Sequence, residues 1–517
     1  MVLAGCASAE GQKDAGSDRG RYEIGYVGER DAGAAVVDGG SVTFGSYGFP
    51  STLDPTKTLV AGSTGGTELA AIYDTLIRYD PEKQEYVPQL AQGLESSNGG
   101  RTWTVTLREG TTFSDGTPMD AAAVRWSIDR FVAAKRDVAQ VWTNVVERVD
   151  TPDDKTVVIT LVRPWNDFPV LLSAGPGVIV APSSEAKGTF TPIGAGPFTV
   201  TRFAPNEVLE LAARADYVGG KPHLSSLRFV PSPSARALFE SVKSGELDAG
   251  YINRDTQTVD AARDFGLSGH VDLHGNGAIG LINSREGRPG ADVRVRQAIA
   301  LAIDPDALNQ RTSAGRDPAG SSMFPEGSRW HNADVPGVAY DPDQARTFLG
   351  EAKADGYDGK LKLVSINEES ARNGALGIQA ALNAVGFDVE IVYATSVTDV
   401  TKRLYVDRDF DLARSGTNLI DSAPFLRLYG SLGSDSFNNA AGYKNPEMDA
   451  LLLQLQSAPD EAAQQQAIDA IQEVANETVP FAVWGPAVVY VAWVPELHGV
   501  KVTTDDIVLF DKAWMAE

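Results

Sequence analysis

Residues 68–80 read Glu68-Leu69-Ala70-Ala71-Ile72-Tyr73-Asp74-Thr75-Leu76-Ile77-Arg78-Tyr79-Asp80, and residues 103–110 read Trp103-Thr104-Val105-Thr106-Leu107-Arg108-Glu109-Gly110. Leu69, Ile72, Tyr73 and Leu76 recur at i, i+3, i+4 and i+7, which predicts one face of a helix with Thr67 as its N-cap. Trp103, Val105 and Leu107 alternate with polar neighbours, the two-residue period of a half-buried strand. The mixture continues outward. Ser41-Val42-Thr43-Phe44 predicts a strand, Asp120 opens a helix carrying Val124, Ile128 and Phe131, and strands follow at 156–161, 196–203 and 209–212. The helix over 293–303 points Val295, Ile299 and Ile303 inward and Arg294 and Arg296 outward, and it stops at Asp304-Pro305. Strands at 361–366 and 388–393 alternate with helices, and helices at 446–456 and 462–476 precede an apolar run at 481–494. This is an α/β chain with at least two lobes.

At 517 residues and 43% apolar composition the chain can build several cores. Lys and Arg number 45 against 69 Asp and Glu, a net charge of −24, which repels nucleic-acid phosphates and anionic lipid. The apolar run from Phe481 to Val494 is shorter than the ~20 residues of a membrane span, and Gly485 and Pro486 interrupt it. Cys6 is the one cysteine, so no intramolecular disulfide and no cysteine-based metal site can form. Residues 7–40 are rich in Gly, Ala and Asp without a period and predict a flexible tether.

Several motifs carry no chemistry. Gly275-Asn276-Gly277-Ala278-Ile279-Gly280 has dinucleotide-binding spacing, but it leads into a strand at 278–282, so no helix N-terminus faces a phosphate. His270, Asp272 and His274 lie two apart and would share one strand face; they could grip a transition metal, although exposed polar residues are the plainer reading. No nucleophile and base pair is identifiable, and neither a cofactor nor a metal is expected.

Five further blocks give a resemblance. Val87-Pro88-Gln89-Leu90-Ala91, Phe113-Ser114-Asp115-Gly116-Thr117-Pro118 and Pro192-Ile193-Gly194-Ala195-Gly196-Pro197-Phe198 follow the opening stretch in order, and Gly245-Glu246-Leu247-Asp248 and Val293 to Asp304 continue it. Together they resemble the bacterial extracytoplasmic solute-binding proteins of family 5, the peptide, opine and nickel binders of ABC importers. Leu3-Ala4-Gly5-Cys6 resembles the recognition sequence of bacterial lipoproteins, which implies lipidation at Cys6 and anchoring to the outer face of the cell membrane.

The resemblance implies a periplasmic-binding-protein type II-like α/β fold of two lobes, with an extra domain inserted in lobe one. Lobe one would span 41–280 with the insert at about 79–192, lobe two 281–483, and 484–517 would return to lobe one. Extended crossovers near 281–285 and 479–486 would let the lobes close on a ligand. The implied partners are a small polar solute, peptide-like by preference, and a permease with its ATPase; the receptor would be a monomer. Family peptide binders hold the ligand ammonium with an aspartate. Aligned backwards from Phe425, Asn418 takes that position, Asp421 a second aspartate and Ser415 a tryptophan, whereas a three-residue gap would put Asp421 at the anchor. An amide at Asn418 would cost a buried ammonium its counterion, several kcal/mol. Asp421 could equally cap the helix that begins at Pro424-Phe425. Ser46 and Tyr47 at the end of the first strand, Asn276, Arg414 as a carboxylate partner, and Trp484 as a stacking face complete the expected ligand contacts. A non-peptide solute such as an oligosaccharide or metal chelate, or a transport-independent envelope role, are the alternatives.

Overall fold

The structure, a computed structural model, describes residues 22–28, 35–135, 138–186, 188–232, 234–367 and 369–516. Cys6 and the expected lipidation lie outside the described residues. An eleven-stranded sheet forms the frame: β1 (Gly25–Val27), β2 (Ser41–Ser46), β3 (Phe198–Ala204), β4 (Val208–Ala213), β5 (Ser226–Pro231), β6 (Ala249–Asn253), β7 (Ser268–Ile282), β8 (Lys360–Ile366), β9 (Asp388–Ala394), β10 (Leu412–Ser415) and β11 (Phe481–Trp493). The order across it is β9-β8-β10-β7-β11-β6-β2-β5-β4-β3, with β1 also on β7.

The antiparallel pair β7 and β11 is long enough to serve two neighbourhoods. At one end, residues 268–274 face 487–493, with β1 and β6 on the outer edges. At the other, 278–282 and 481–485 pair, and β10 takes the edge of β7 through Ile279 to Ile282. The sheet therefore has two halves, one built on β2 to β6 and the other on β8 to β10, and they share only two strands. This is the two-lobed α/β frame that the resemblance implies.

Each half has its own core. Phe44 packs edge-on to Tyr251 (5.2 Å) and to Phe510 (5.9 Å) in the first, while Ile299, Leu363, Ile378 and Leu412 fill the second. Burying each such side chain contributes about 1.5–3 kcal/mol. A separate four-stranded sheet over 91–161 carries Trp103, Val105 and Leu107 on its inner face, as their alternation predicts, and lies inside the 79–192 segment. Its core reaches the other half of the molecule through Trp165, whose ring meets Phe425 at 5.1 Å.

Four local expectations are corrected. The helix after Gly65 spans Gly66–Tyr73 (α1), and Thr67 does not cap it. The Thr67 hydroxyl lies 2.5 Å from that of Tyr251 and accepts from the Val508 amide, so tertiary partners consume it. Asp74, at φ 58°, ends that helix before Leu76, which reaches the core from a loop. Arg296 turns inward and donates to the carbonyls of Gly290 and Thr478. The tether is not featureless to residue 40: Gly25–Val27 pairs with Gly269–Val271, and Tyr22 is buried.

Candidate ligand cleft

The crossing point of β7 is a bulge. His274 faces Ala487 and Ala278 faces Gly485, so Gly275, Asn276 and Gly277 oppose Pro486 alone. The looped-out residues pair with a third segment: Gly275 exchanges both backbone hydrogen bonds with Leu419 (2.9 and 2.7 Å), and the Thr417 amide donates to the Asn276 carbonyl (3.0 Å). Only glycine permits this approach, because a Cβ on Gly277 would sit 1.9 Å from the Ala487 nitrogen and one on Gly275 would sit 2.2 Å from the Met323 oxygen. The dinucleotide-like spacing is thus a bulge within a strand. The break in the ladder lies at 275–277 and 486, upstream of the crossover expected at 281–285.

Beside the bulge lies a cleft of about 370 Å³. Tyr47 enters from the end of β2, Arg254 from the end of β6, His274 from β7, Asn418 from the loop after β10, and Arg427 from the helix Pro424–Leu432 (α2). Asp505 and Asp506 complete the polar wall, and Leu59, Val60, Leu171, Ile420 and Leu426 form the apolar one. Both sheet halves contribute, which is where α/β sheets present ligands.

Three charged groups meet at the floor. The His274 Nε2 is 2.9 Å from the Asp506 carboxylate and 3.6 Å from that of Asp272. Burial by itself would hold the imidazole neutral, but the two carboxylates outweigh it and raise its pKa to about 10, so His274 is a cation at neutral pH. Burial pushes the Asp506 carboxyl up in spite of His274, while against its own burial the Asp272 carboxyl is held below the usual range by the neighbouring His274 cation. These three ligand atoms lie within 4.8 Å of one another, close enough to share a small cation. The trio differs from the expected one: His270 turns its ring to Tyr26 (4.8 Å) and Asp506 replaces it, and both histidines are buried, contrary to the exposed face expected.

The expected contacts divide. Tyr47 and Asn418 line the cleft. The Ser46 hydroxyl donates to the buried Glu68 carboxylate (2.5 Å), whose pKa burial raises to about 7. Ser415 pairs with Ile279 at the end of β10, and Arg414 next to it donates to the Ala371 carbonyl at 3.4 Å. Asn276 is 1% exposed, and neither amide atom of its side chain has a hydrogen-bond partner. Trp484 packs in the second core against Gly280, away from the cleft. Asp421 is half-buried and accepts from the Ser328 hydroxyl (2.6 Å) and the Arg329 amide (2.9 Å); it neither lines the cleft nor caps α2, where Ala423 stands at the N-cap. Arg254, Arg427, Asp505 and Asp506 were not expected. The signal for Arg254 was the apolar run Ala249–Ile252 ending in Asn253-Arg254-Asp255, a strand's carboxyl end at the cleft.

Residues 85–439 match the family model for bacterial extracellular solute-binding proteins, family 5. A putative ABC transporter peptide-binding protein of Brucella ovis is 27% identical over 377 residues, covering 69% of this chain and 68% of that one. The dipeptide-binding protein of Escherichia coli is 25% identical over 390 residues, covering 69% and 72%. The oligopeptide-binding protein AppA of Bacillus subtilis, solved with a nonapeptide, superposes with a TM-score of 0.78 at 21% identity, over 93% of this chain and all of that one.

Proposed function

We propose a function from one premise: the chain belongs to the bacterial extracellular solute-binding proteins, family 5. It is the extracytoplasmic receptor of an ABC importer, anchored through a lipidated Cys6, and it captures a di- or oligopeptide-like solute between its lobes and delivers it to the permease. Its output is binding and closure, with no bond made or broken. The observation that carries this reading is the cleft between two sheet halves that share only β7 and β11. A guest there touches both halves, so its binding energy favours the closed arrangement.

A non-peptide solute is the second reading. Asn418 is a neutral amide whose oxygen is taken by Arg254, and the Asp421 carboxylate is engaged by Ser328 and Arg329 and does not line the cleft, so neither supplies a counterion to a ligand ammonium. Thermal denaturation against libraries of peptides, oligosaccharides and metal chelates separates the two. A ligand at 100 times its Kd adds about 2.7 kcal/mol to stability. Peptide shifts support the first reading, glycan or chelate shifts alone replace it with the second, and no shift with any library sinks solute capture. Mass spectrometry of the native protein tests the anchor, which an unmodified Cys6 would refute.

A further inference from the structure

We propose that Arg254 anchors a carboxylate of the solute, so that the guest is an anion, or a zwitterion with its acidic end turned toward the junction of β6 and β7. The proposal rests on the solute-capture reading and names the chemistry of its ligand.

The charged side chains of the cleft are matched, with one exception. Arg427 lies 2.8 Å from Asp505, and His274 lies 2.9 Å from Asp506. Arg254 makes no ion pair among the described residues. Its Nη1 donates to the Gly277 carbonyl and its Nη2 to the Asn418 side-chain oxygen, both at 2.6 Å. A guanidinium has five N–H donors in a rigid fork, so the two bonds fix its plane and leave donors over. The residue is exposed and lines the cleft, so a ligand can reach it. An oriented, accessible cation without a counterion is the arrangement that binds a planar carboxylate in two-point fashion.

The backbone agrees. Arg254 sits at φ 56°, Asn418 at φ 51° and Asn276 at φ 51°, all left-handed positions that side chains adopt at a cost. These three strained residues meet at one spot, joined through Gly277 and Asn418. Around them are buried polar atoms without hydrogen-bond partners: the Asn253 side-chain oxygen, the Asn276 amide and the Thr417 hydroxyl. A folded chain rarely leaves several such groups together unless something else is meant to meet them. Arg414 supplies a second guanidinium that makes no ion pair among the described residues, close enough that burial and the charge of Arg254 lower its pKa. The chain as a whole carries −24, so this cationic corner stands against the overall field.

The test uses the full-length protein and three probes in titration calorimetry and thermal denaturation: a library of dipeptides, the same library as C-terminal amides, and a set of small dicarboxylic acids. The anchor requires binding by the free acids or the dicarboxylates, and a loss of roughly 10- to 100-fold on amidation, the scale of one charge-assisted hydrogen-bonded contact. Arg254→Gln should lose affinity by the same factor, and Arg254→Lys should recover part of it. Because Arg254 also ties Gly277 to Asn418, the unliganded Tm of each variant is measured alongside, and the wild-type comparison of acid with amide needs no variant. Equal binding of acid and amide, or full affinity in Arg254→Gln, overturns the anchor and leaves solute capture standing.

Discussion

The four-stranded sheet over 91–161 fills its core with Trp103, Trp142, Trp165 and Phe168, whereas the place where β7 crosses β11 buries a histidine between two aspartates and bends three residues into left-handed backbone. The first region is held by shape and apolar area, which act alike at every pH. The second is held by charge and by hydrogen bonds to looped-out backbone, and its stability depends on protonation. The contrast teaches that strained backbone and a buried charge cluster meet at one place beside the cleft, whereas the core of the four-stranded sheet is built from packed aromatic rings.

The largest effect that tests the contrast is Trp165→Ala. It removes the ring between Phe168 and Phe425 and should cost about 3–5 kcal/mol, equally at pH 6 and pH 9, in denaturant titrations. A cost that varied with pH would blur the two regions. His274→Ala should cost about 3 kcal/mol near pH 6, because it leaves buried carboxylates without their cation. The folded pKa of about 10 exceeds the ordinary 6.5, so the stabilisation is complete below about pH 6.5 and fades as the pH rises toward 10. The difference in Tm between wild type and variant should shrink over that window, and a constant difference would mean that His274 acts by packing alone.

Glu68→Gln should act in the opposite direction, with a smaller gain of roughly 2 kcal/mol. The buried carboxyl titrates at about 7 in place of 4.5, so the folded protein loses stability as the pH rises from 4.5 through 7. The amide can still accept from Ser46, and the variant should melt higher than wild type at pH 8 and equally at pH 4. Arg427→Ala gives the smallest change, under about 1 kcal/mol, since its pair with Asp505 is partly open to water. A loss of several kcal/mol by calorimetry would place Arg427 among the structural ion pairs of the floor.

Legibility in the sequence follows the same division. The alternation of Trp103, Val105 and Leu107 and the helical stripe of Val124, Ile128 and Phe131 were readable because burial there imposes a period, and each of these side chains is buried. The length of β7 was not readable. His270 to Gly277 contains His, Asp, Asn and Gly, all poor strand formers, and the ladder with β11 holds them through long-range pairing that no local period reports. For the same reason the tether hid β1. At the cleft, Tyr47 and Asn418 were reached by position along the chain, but Trp484 was drawn into the core by Gly280, and Asp421 was turned away by Ser328 and Arg329. Arg254 escaped notice because an isolated arginine in a polar turn has no local signature; its significance arises from what is missing around it in space.

The three-against-one mismatch between β7 and β11 has a mechanical consequence. Each end of the strand pair has its own ladder of hydrogen bonds, so a rotation of one end against the other would be taken up by a few peptide units beside Pro486. Those same units donate to and accept from Leu419, Thr417 and Arg254. Whatever occupies the cleft therefore bears directly on the pivot, and the lifetime of the occupied state and the stiffness of the joint become one physical quantity.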